Sequence, residues 1–80
     1  MKKQITMPRL RPEMKAGILC AWTVSPGDAV RAGDCLFEVE TDKVVSQIEA
    51  VEDGVISQFL AEEGDEVAVG APVAILETHP

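Results

Sequence analysis

Few side chains in this sequence are equipped for chemistry. There is one histidine, His79, next to the C-terminal Pro80, and there is no tyrosine. A lone histidine at a chain end reads as frayed and solvent-exposed, and a multi-histidine metal site is excluded. Cys20 and Cys35 stand 15 residues apart, with no CxxC and no cluster of other ligands. They read as two small buried thiols of a reducing compartment rather than as a disulfide. Asp28, Asp34 and Asp65 fall in turn-like contexts, where a carboxylate bonding its own backbone accounts for them. What remains is Lys43, in the run Val39-Glu40-Thr41-Asp42-Lys43-Val44-Val45. Lysine combines a primary amine with a long flexible stem, so an exposed Lys43 is open to acylation by another enzyme. On residue chemistry alone the commoner role of a lysine, a solvating charge on a loop, stays open.

Three acidic residues surround that lysine in sequence: Glu40, Asp42 and Glu49. They either solubilise the segment or form a surface that a modifying enzyme reads for shape and charge. Val44 and Val45 would alternate across a strand, leaving one facing outward near the amine as a docking contact. Arg9, Arg11 and Lys15 form a small basic patch in a loop, placed near the lysine or along a sheet edge. A solvated loop and a partner contact both fit it.

The elements that position Lys43 follow from an internal repeat. Gly17, Gly27 and Gly33 recur as Gly54, Gly64 and Gly70, each displaced by 37 residues. Around them Gly17-Ile18-Leu19 matches Gly54-Val55-Ile56, Trp22 matches Phe59, and Gly27-Asp28-Ala29-Val30 matches Gly64-Asp65-Glu66-Val67. Residues 1–80 read as a single domain of two halves, about 5–42 and 43–79, with Lys43 at the seam. A repeat of this kind is one unit stacked on its copy, and neither half is expected to fold alone.

Six glycines and five prolines cut the chain into short pieces. The pieces predict strands over 4–7, 18–24, 35–40, 44–49, 55–61 and 73–78, joined by short strands over 30–31 and 67–68. Residues 11–15 invite one helical turn, shortened by Pro12. Ser25-Pro26-Gly27-Asp28 places Pro and Gly as a type II turn requires, and Glu62-Glu63-Gly64-Asp65 repeats it. The pattern predicts an all-β fold of two small antiparallel sheets packed around a pseudo-two-fold axis. Ile18, Leu19, Trp22, Phe37, Val39, Ile48, Val55, Ile56, Phe59 and Leu76 are the expected core. A turn at Asp42-Lys43 would join 35–40 to 44–49 as a hairpin, although it contains neither Gly nor Pro.

Composition narrows the partners. Seven basic against fourteen acidic residues give a net charge of −7, which disfavours nucleic acid and anionic membrane surfaces. The start Met1-Lys2-Lys3-Gln4-Ile5-Thr6-Met7-Pro8 lacks the apolar run of a signal peptide, and no stretch approaches a membrane span. A cytoplasmic setting is expected, or a mitochondrial matrix if the chain is an excised eukaryotic domain.

On these residues the sequence resembles the lipoyl domains of 2-oxo acid dehydrogenase complexes, within the biotinyl/lipoyl attachment family. The resemblance runs from Ile5 to Leu76. It is carried by Met7-Pro8-x-Leu10, Met14, Gly17-Ile18-x-x-x-Trp22, Gly27-Asp28-x-Val30-x-x-Gly33-Asp34, the central Val39-Glu40-Thr41-Asp42-Lys43, and Gly64-x-x-Val67-x-Val69-Gly70. It implies a flattened barrel of two four-stranded sheets, with Lys43 at a hairpin tip and both chain ends at the opposite end. It implies lipoic acid bound covalently to Lys43, with Glu40, Thr41, Asp42 and Val44 recognised around the attachment hairpin. The implied partners are a lipoate ligase or lipoyl transferase, a thiamine-diphosphate decarboxylase, an acyltransferase catalytic domain with coenzyme A, and a flavoprotein dihydrolipoamide dehydrogenase. The domain itself would be monomeric and non-catalytic, within a dihydrolipoyllysine acyltransferase. Biotinyl domains usually carry Met on both sides of the lysine; Asp42 and Val44 here favour lipoylation. A biotin carrier and an unmodified barrel-sandwich adaptor are the alternatives.

Overall fold

The computed structural model describes residues 1–78, so the reading of His79 lies outside the described residues. Eight strands follow one another: β1 (Lys2–Thr6), β2 (Ala16–Trp22), β3 (Ala29–Val30), β4 (Cys35–Thr41), β5 (Val44–Glu49), β6 (Gly54–Phe59), β7 (Glu66–Ala68) and β8 (Pro72–Glu77). They form two four-stranded antiparallel sheets, in the orders β1-β8-β6-β3 and β5-β4-β2-β7. Every expected strand is present, with ends displaced by a residue or two. Residues 11–15 are the exception. Met14 N donates to Arg11 O at 3.1 Å, which closes a single turn and no helix.

The repeat is built by exchange. β3, from the first half, edges the sheet of β6 and β8, while β7, from the second half, edges the sheet of β2 and β4. The glycine turns lock the exchange in matched pairs. Gly27 N donates to Ile56 O at 2.7 Å and Ile56 N to Asp28 O at 2.9 Å; Gly64 N donates to Leu19 O at 2.7 Å and Leu19 N to Asp65 O at 2.9 Å. Gly27 and Gly64 share a φ of 95°, a conformation that glycine adopts without a Cβ penalty. Asp28 and Asp65 accept from Ser25 N and Glu62 N, each at 2.9 Å. These carboxylates brace their own turns, as expected of them.

Between the sheets lie Leu19, Phe37, Val39, Ile56 and Leu76, as expected, together with Met7, Met14, Val30, Leu36, Val67 and Val73. Trp22, Ile48 and Phe59 pack against them half-buried. Trp22 and Phe59, counterparts in the repeat, stack with centroids 3.9 Å apart and planes 7° from parallel. Ile18 and Val55 do not join the core; they are 39% and 38% exposed. Each precedes a fully buried residue, Leu19 or Ile56, so strand alternation turns both outward. Leu36-Phe37 and Val73-Ala74 break the alternation, with both members of each pair buried. Register shifts at Cys35/Phe37 and Ile5/Thr6, opposite Ala74 and Pro72, supply the reason. A bulge carries one extra residue and lets neighbours face the same side.

The two thiols are free and half-buried, not fully buried as expected. Cys20 lies at the β2 register shift between Leu19 and Ala21, on a strand whose inward positions are taken by Gly17 and Leu19. Its thiol pKa is pushed up by desolvation, then by Glu40 and Glu38. Only the thiolate is a good nucleophile, and this shift lowers its share at Cys20.

Candidate functional site: the hairpin tip

β4 and β5 pair from Cys35↔Glu49, past the bulge at Leu36, without a further break from Phe37↔Ile48 up to Thr41↔Val44, which leaves Asp42 and Lys43 as a two-residue turn. Both have positive φ, 44° and 65°. A two-residue connection with both central residues left-handed is the type I′ geometry that matches the twist of a hairpin. Its preferred sequences contain glycine, and here there is none. Asp tolerates the left-handed region through its short polar side chain, whereas Lys does so at the cost of a Cβ–carbonyl contact. Lys43 therefore occupies a position where local preference alone would favour glycine. Lys43→Gly is expected to raise stability by about 0.5–1 kcal/mol, the left-handed relief less the entropy of glycine. Urea unfolding with an unchanged m-value reads it, and an unchanged or lower midpoint contradicts it.

Lys43 is exposed and makes no hydrogen bond or ion pair to the described residues. Asp42 is held instead by Arg11, whose Nη2 lies 2.9 Å from Asp42 Oδ2. Thr41, half-buried, and Val44, exposed, form the last rung beneath the turn. Glu40 is exposed one rung lower, opposite Val45 on one side and Ile18 on the other. Ile18 in turn faces Glu66. The row Val45, Glu40, Ile18, Glu66 thus crosses the outer face of the lysine-bearing sheet. Its counterpart on the other sheet reads Lys2, Glu77, Val55, Ala29. The acidic excess belongs to the sheet that carries Lys43.

Of the acidic residues near Lys43 in sequence, the structure brings Asp42 and Glu40 to the tip and leaves Glu49 out. Glu49 pairs with Cys35 at the far end of β5, roughly 17 Å along an extended strand. The basic patch is divided as well. Arg11 reaches the tip, while Arg9 folds onto its own loop, donating from Nη1 to Pro12 O at 2.9 Å and Met14 O at 2.7 Å. Sequence reasoning placed the patch near the hairpin or a sheet edge. Nothing local distinguished Arg11 from Arg9 as the residue that reaches Asp42. A groove between the β1–β2 loop and the hairpin, lined by Arg11, Glu13, Ile18, Glu40 and Asp42 among others, adjoins the tip.

The chain ends lie away from this site. Met1 N donates to Thr78 O and Thr78 N to Met1 O, at 2.6 and 2.7 Å. Lys3 Nζ reaches Glu52 Oε2 at 2.9 Å, just beyond the distal end of β5. Lys43 stands at the other end of that strand.

The family model described as Biotin-requiring enzyme matches residues 3–76. Over 77 residues the sequence is 46% identical to the dihydrolipoyllysine-residue acetyltransferase component of the pyruvate dehydrogenase complex of Zymomonas mobilis, covering 95% of this chain and 18% of that protein. The corresponding component of Rhizobium meliloti is 44% identical over 73 residues, covering 90% and 16%. The chain thus spans less than a fifth of the length of these curated relatives. The solution structure of the lipoyl domain of the 2-oxoglutarate dehydrogenase complex of Azotobacter vinelandii superposes with a TM-score of 0.78 at 32% identity, covering 96% of this chain and 98% of that one. A multi-domain long-chain acyl-CoA carboxylase shares the fold, with a TM-score of 0.81 at 18% identity over 98% of this chain and 7% of that one. Two interlocked four-stranded sheets with a lysine turn at the seam of a repeat, and relatives of this kind along nearly the whole length, make this chain a lipoyl-type member of the biotinyl/lipoyl attachment family.

Proposed function

We propose that Lys43 accepts lipoic acid and that the domain is a swinging-arm carrier, moving acyl groups and electrons between the active sites of a 2-oxo acid or acetoin dehydrogenase complex. The observation that carries this is the placement of an exposed amine, unpaired among the described residues, at the tip of a glycine-free type I′ turn, Asp42-Lys43. A primary amine there fits covalent attachment of a carboxylic acid. Once the ligase has activated the acid with ATP as its adenylate, Nζ attacks the carbonyl carbon and the C–O bond to AMP breaks. AMP leaves, the amine gives up two protons, and the resulting amide removes the charge of Lys43. Net charge then passes from −7 to −8.

The domain contributes no acid, base or nucleophile beyond that amine. The attached group supplies the disulfide chemistry, while the protein supplies presentation and partner identity. Tethering keeps a reactive group at high effective concentration near successive sites, provided the linker can span them. Chain ends distant from Lys43 suit this role, because a linker leaving there keeps clear of the arm.

The parent protein is proposed to be a dihydrolipoyllysine acyltransferase, on the names of the Zymomonas and Rhizobium relatives. Its partners in this reading are a lipoate ligase or lipoyl transferase acting on Lys43, a thiamine-diphosphate decarboxylase, a coenzyme A-dependent catalytic domain and a flavoprotein dehydrogenase. Relatives include bacterial and mitochondrial proteins, and a bacterial cytoplasm or a mitochondrial matrix fits the proposal. Glu40, Thr41, Asp42 and Val44 are the residues a lipoylating enzyme would meet first. The flanking Asp42 and Val44 favour lipoate over biotin. Intact mass after incubation with lipoate ligase, lipoate and ATP tests the reading, beside a parallel incubation with biotin ligase and biotin. One lipoyl increment and no biotin increment is expected. A biotin increment alone, or none in either tube, overturns it.

A further inference from the structure

We propose that Arg11 is a positioning residue for the Lys43 turn. Through Asp42 it holds the hairpin tip to the β1–β2 loop and presets the backbone that presents the amine. This rests on the reading of Lys43 as acyl acceptor and adds to that site a residue 31 positions from Asp42.

The turn needs such a holder. Beyond the rung Thr41–Val44 its two residues are both left-handed with no glycine, so local preference does not fix them. The loop opposite is a firm platform. Met7 and Met14 are buried, 1% and 5% exposed. Met7 N donates to Ala71 O and Gly70 N to Met7 O, both at 2.9 Å. Arg9 ties the loop to itself through Pro12 O and Met14 O. Arg11 therefore reaches Asp42 from a fixed base.

The guanidinium contact is directional. Nη2 donates to Asp42 Oδ2 at 2.9 Å, and Nε, shielded from solvent, has no acceptor. Nε and Nη2 form one edge of the guanidinium, the edge that takes a carboxylate side-on through two parallel bonds. Asp42 Oδ1 carries no hydrogen bond from the described residues, and the Asp42 side chain is 79% exposed. The same contact engages Oδ2 of the carboxylate nearest in sequence to Lys43.

The pair lies at the surface, so its effect is modest and screened by salt. The test uses the 80-residue chain and its Arg11→Gln and Arg11→Lys variants. At low ionic strength Arg11→Gln is expected to lower kcat/KM for lipoyl transfer by a lipoate ligase about two- to fivefold. Arg11→Lys, keeping the charge without the fork, falls between. The ratio of parent to Arg11→Gln shrinks toward one at roughly 0.5 M salt, because the Debye length contracts to a few ångströms. Amide hydrogen exchange at Asp42, Lys43 and Val44 rises by a similar factor in Arg11→Gln, with the thermal midpoint unchanged. Tip exchange equal to the parent overturns the proposal, as does a rate loss that salt leaves untouched. A parent chain that takes no lipoyl group overturns the acceptor reading instead, and tip exchange alone then decides the role of Arg11.

Discussion

Lys43→Arg is expected to leave the fold intact and abolish the lipoyl mass increment completely. Arginine keeps the long stem and the positive charge of the tip and accepts the same backbone as lysine. Its guanidinium stays protonated at any working pH and offers no nucleophilic nitrogen. The loss is all or none because no other lysine has the same setting. Lys2 lies on edge strand β1 and Lys15 in the loop before β2, while Lys3 is engaged by Glu52 at 2.9 Å. None stands at a hairpin turn. Unchanged strand dispersion with no increment is the predicted outcome. An increment that survives in Lys43→Arg, on any residue, sinks the assignment of Lys43.

The largest effect on stability is expected at Gly54, the repeat partner of Gly17. A Cβ built at Gly54 would stand 2.6 Å from the backbone oxygen of Glu77 and 3.0 Å from Leu76 Cγ and Cδ1. That carbonyl belongs to β8, which is bonded to β1 on one side and β6 on the other, so it cannot move without straining two ladders. At Gly17 the nearest atoms are side chains, Val39 Cγ1 at 2.6 Å and Met14 Cε at 3.0 Å. These can turn, at the cost of repacking. Gly54→Ala is therefore expected to cost about 3 kcal/mol, the upper part of the usual overpacking range, and Gly17→Ala less. In a domain of this size the Gly54 change lowers the thermal midpoint by roughly 10–20 °C. Equal midpoints for the two variants would show that the backbone contact is not what limits Gly54.

The candidate site was readable in the sequence to an unequal degree. Position at the seam of a repeat singled out Lys43, and the resemblance of Val39-Glu40-Thr41-Asp42-Lys43 to the family's attachment motif made it the acceptor candidate; the turn forms there despite lacking glycine. The left-handed Lys43 was not readable, because a Lys in that conformation is held by tertiary context: the Thr41–Val44 rung beneath it and the Arg11–Asp42 contact beside it. Glu49 illustrates the reverse error. Six residues from Lys43 looks close in sequence, but an extended strand carries it to the other end of the sheet.

Alternation and repetition are local properties, so the sequence by itself determined the strands, the glycine corners, the two halves and the lysine between them. It also determined that Leu19 and Ile56 share one environment, because a displacement of 37 residues relates them. Only the tertiary structure decided that β3 and β7 change places between sheets, that Ile18 and Val55 face outward, and that paired bulges bury Leu36 with Phe37 and Val73 with Ala74. It alone joined Arg11 to Asp42 and left Arg9 on its own loop. These outcomes depend on which distant backbone groups pair and which side chains then meet. No residue's own preferences encode such a pairing; it is settled when two thin half-cores complete each other.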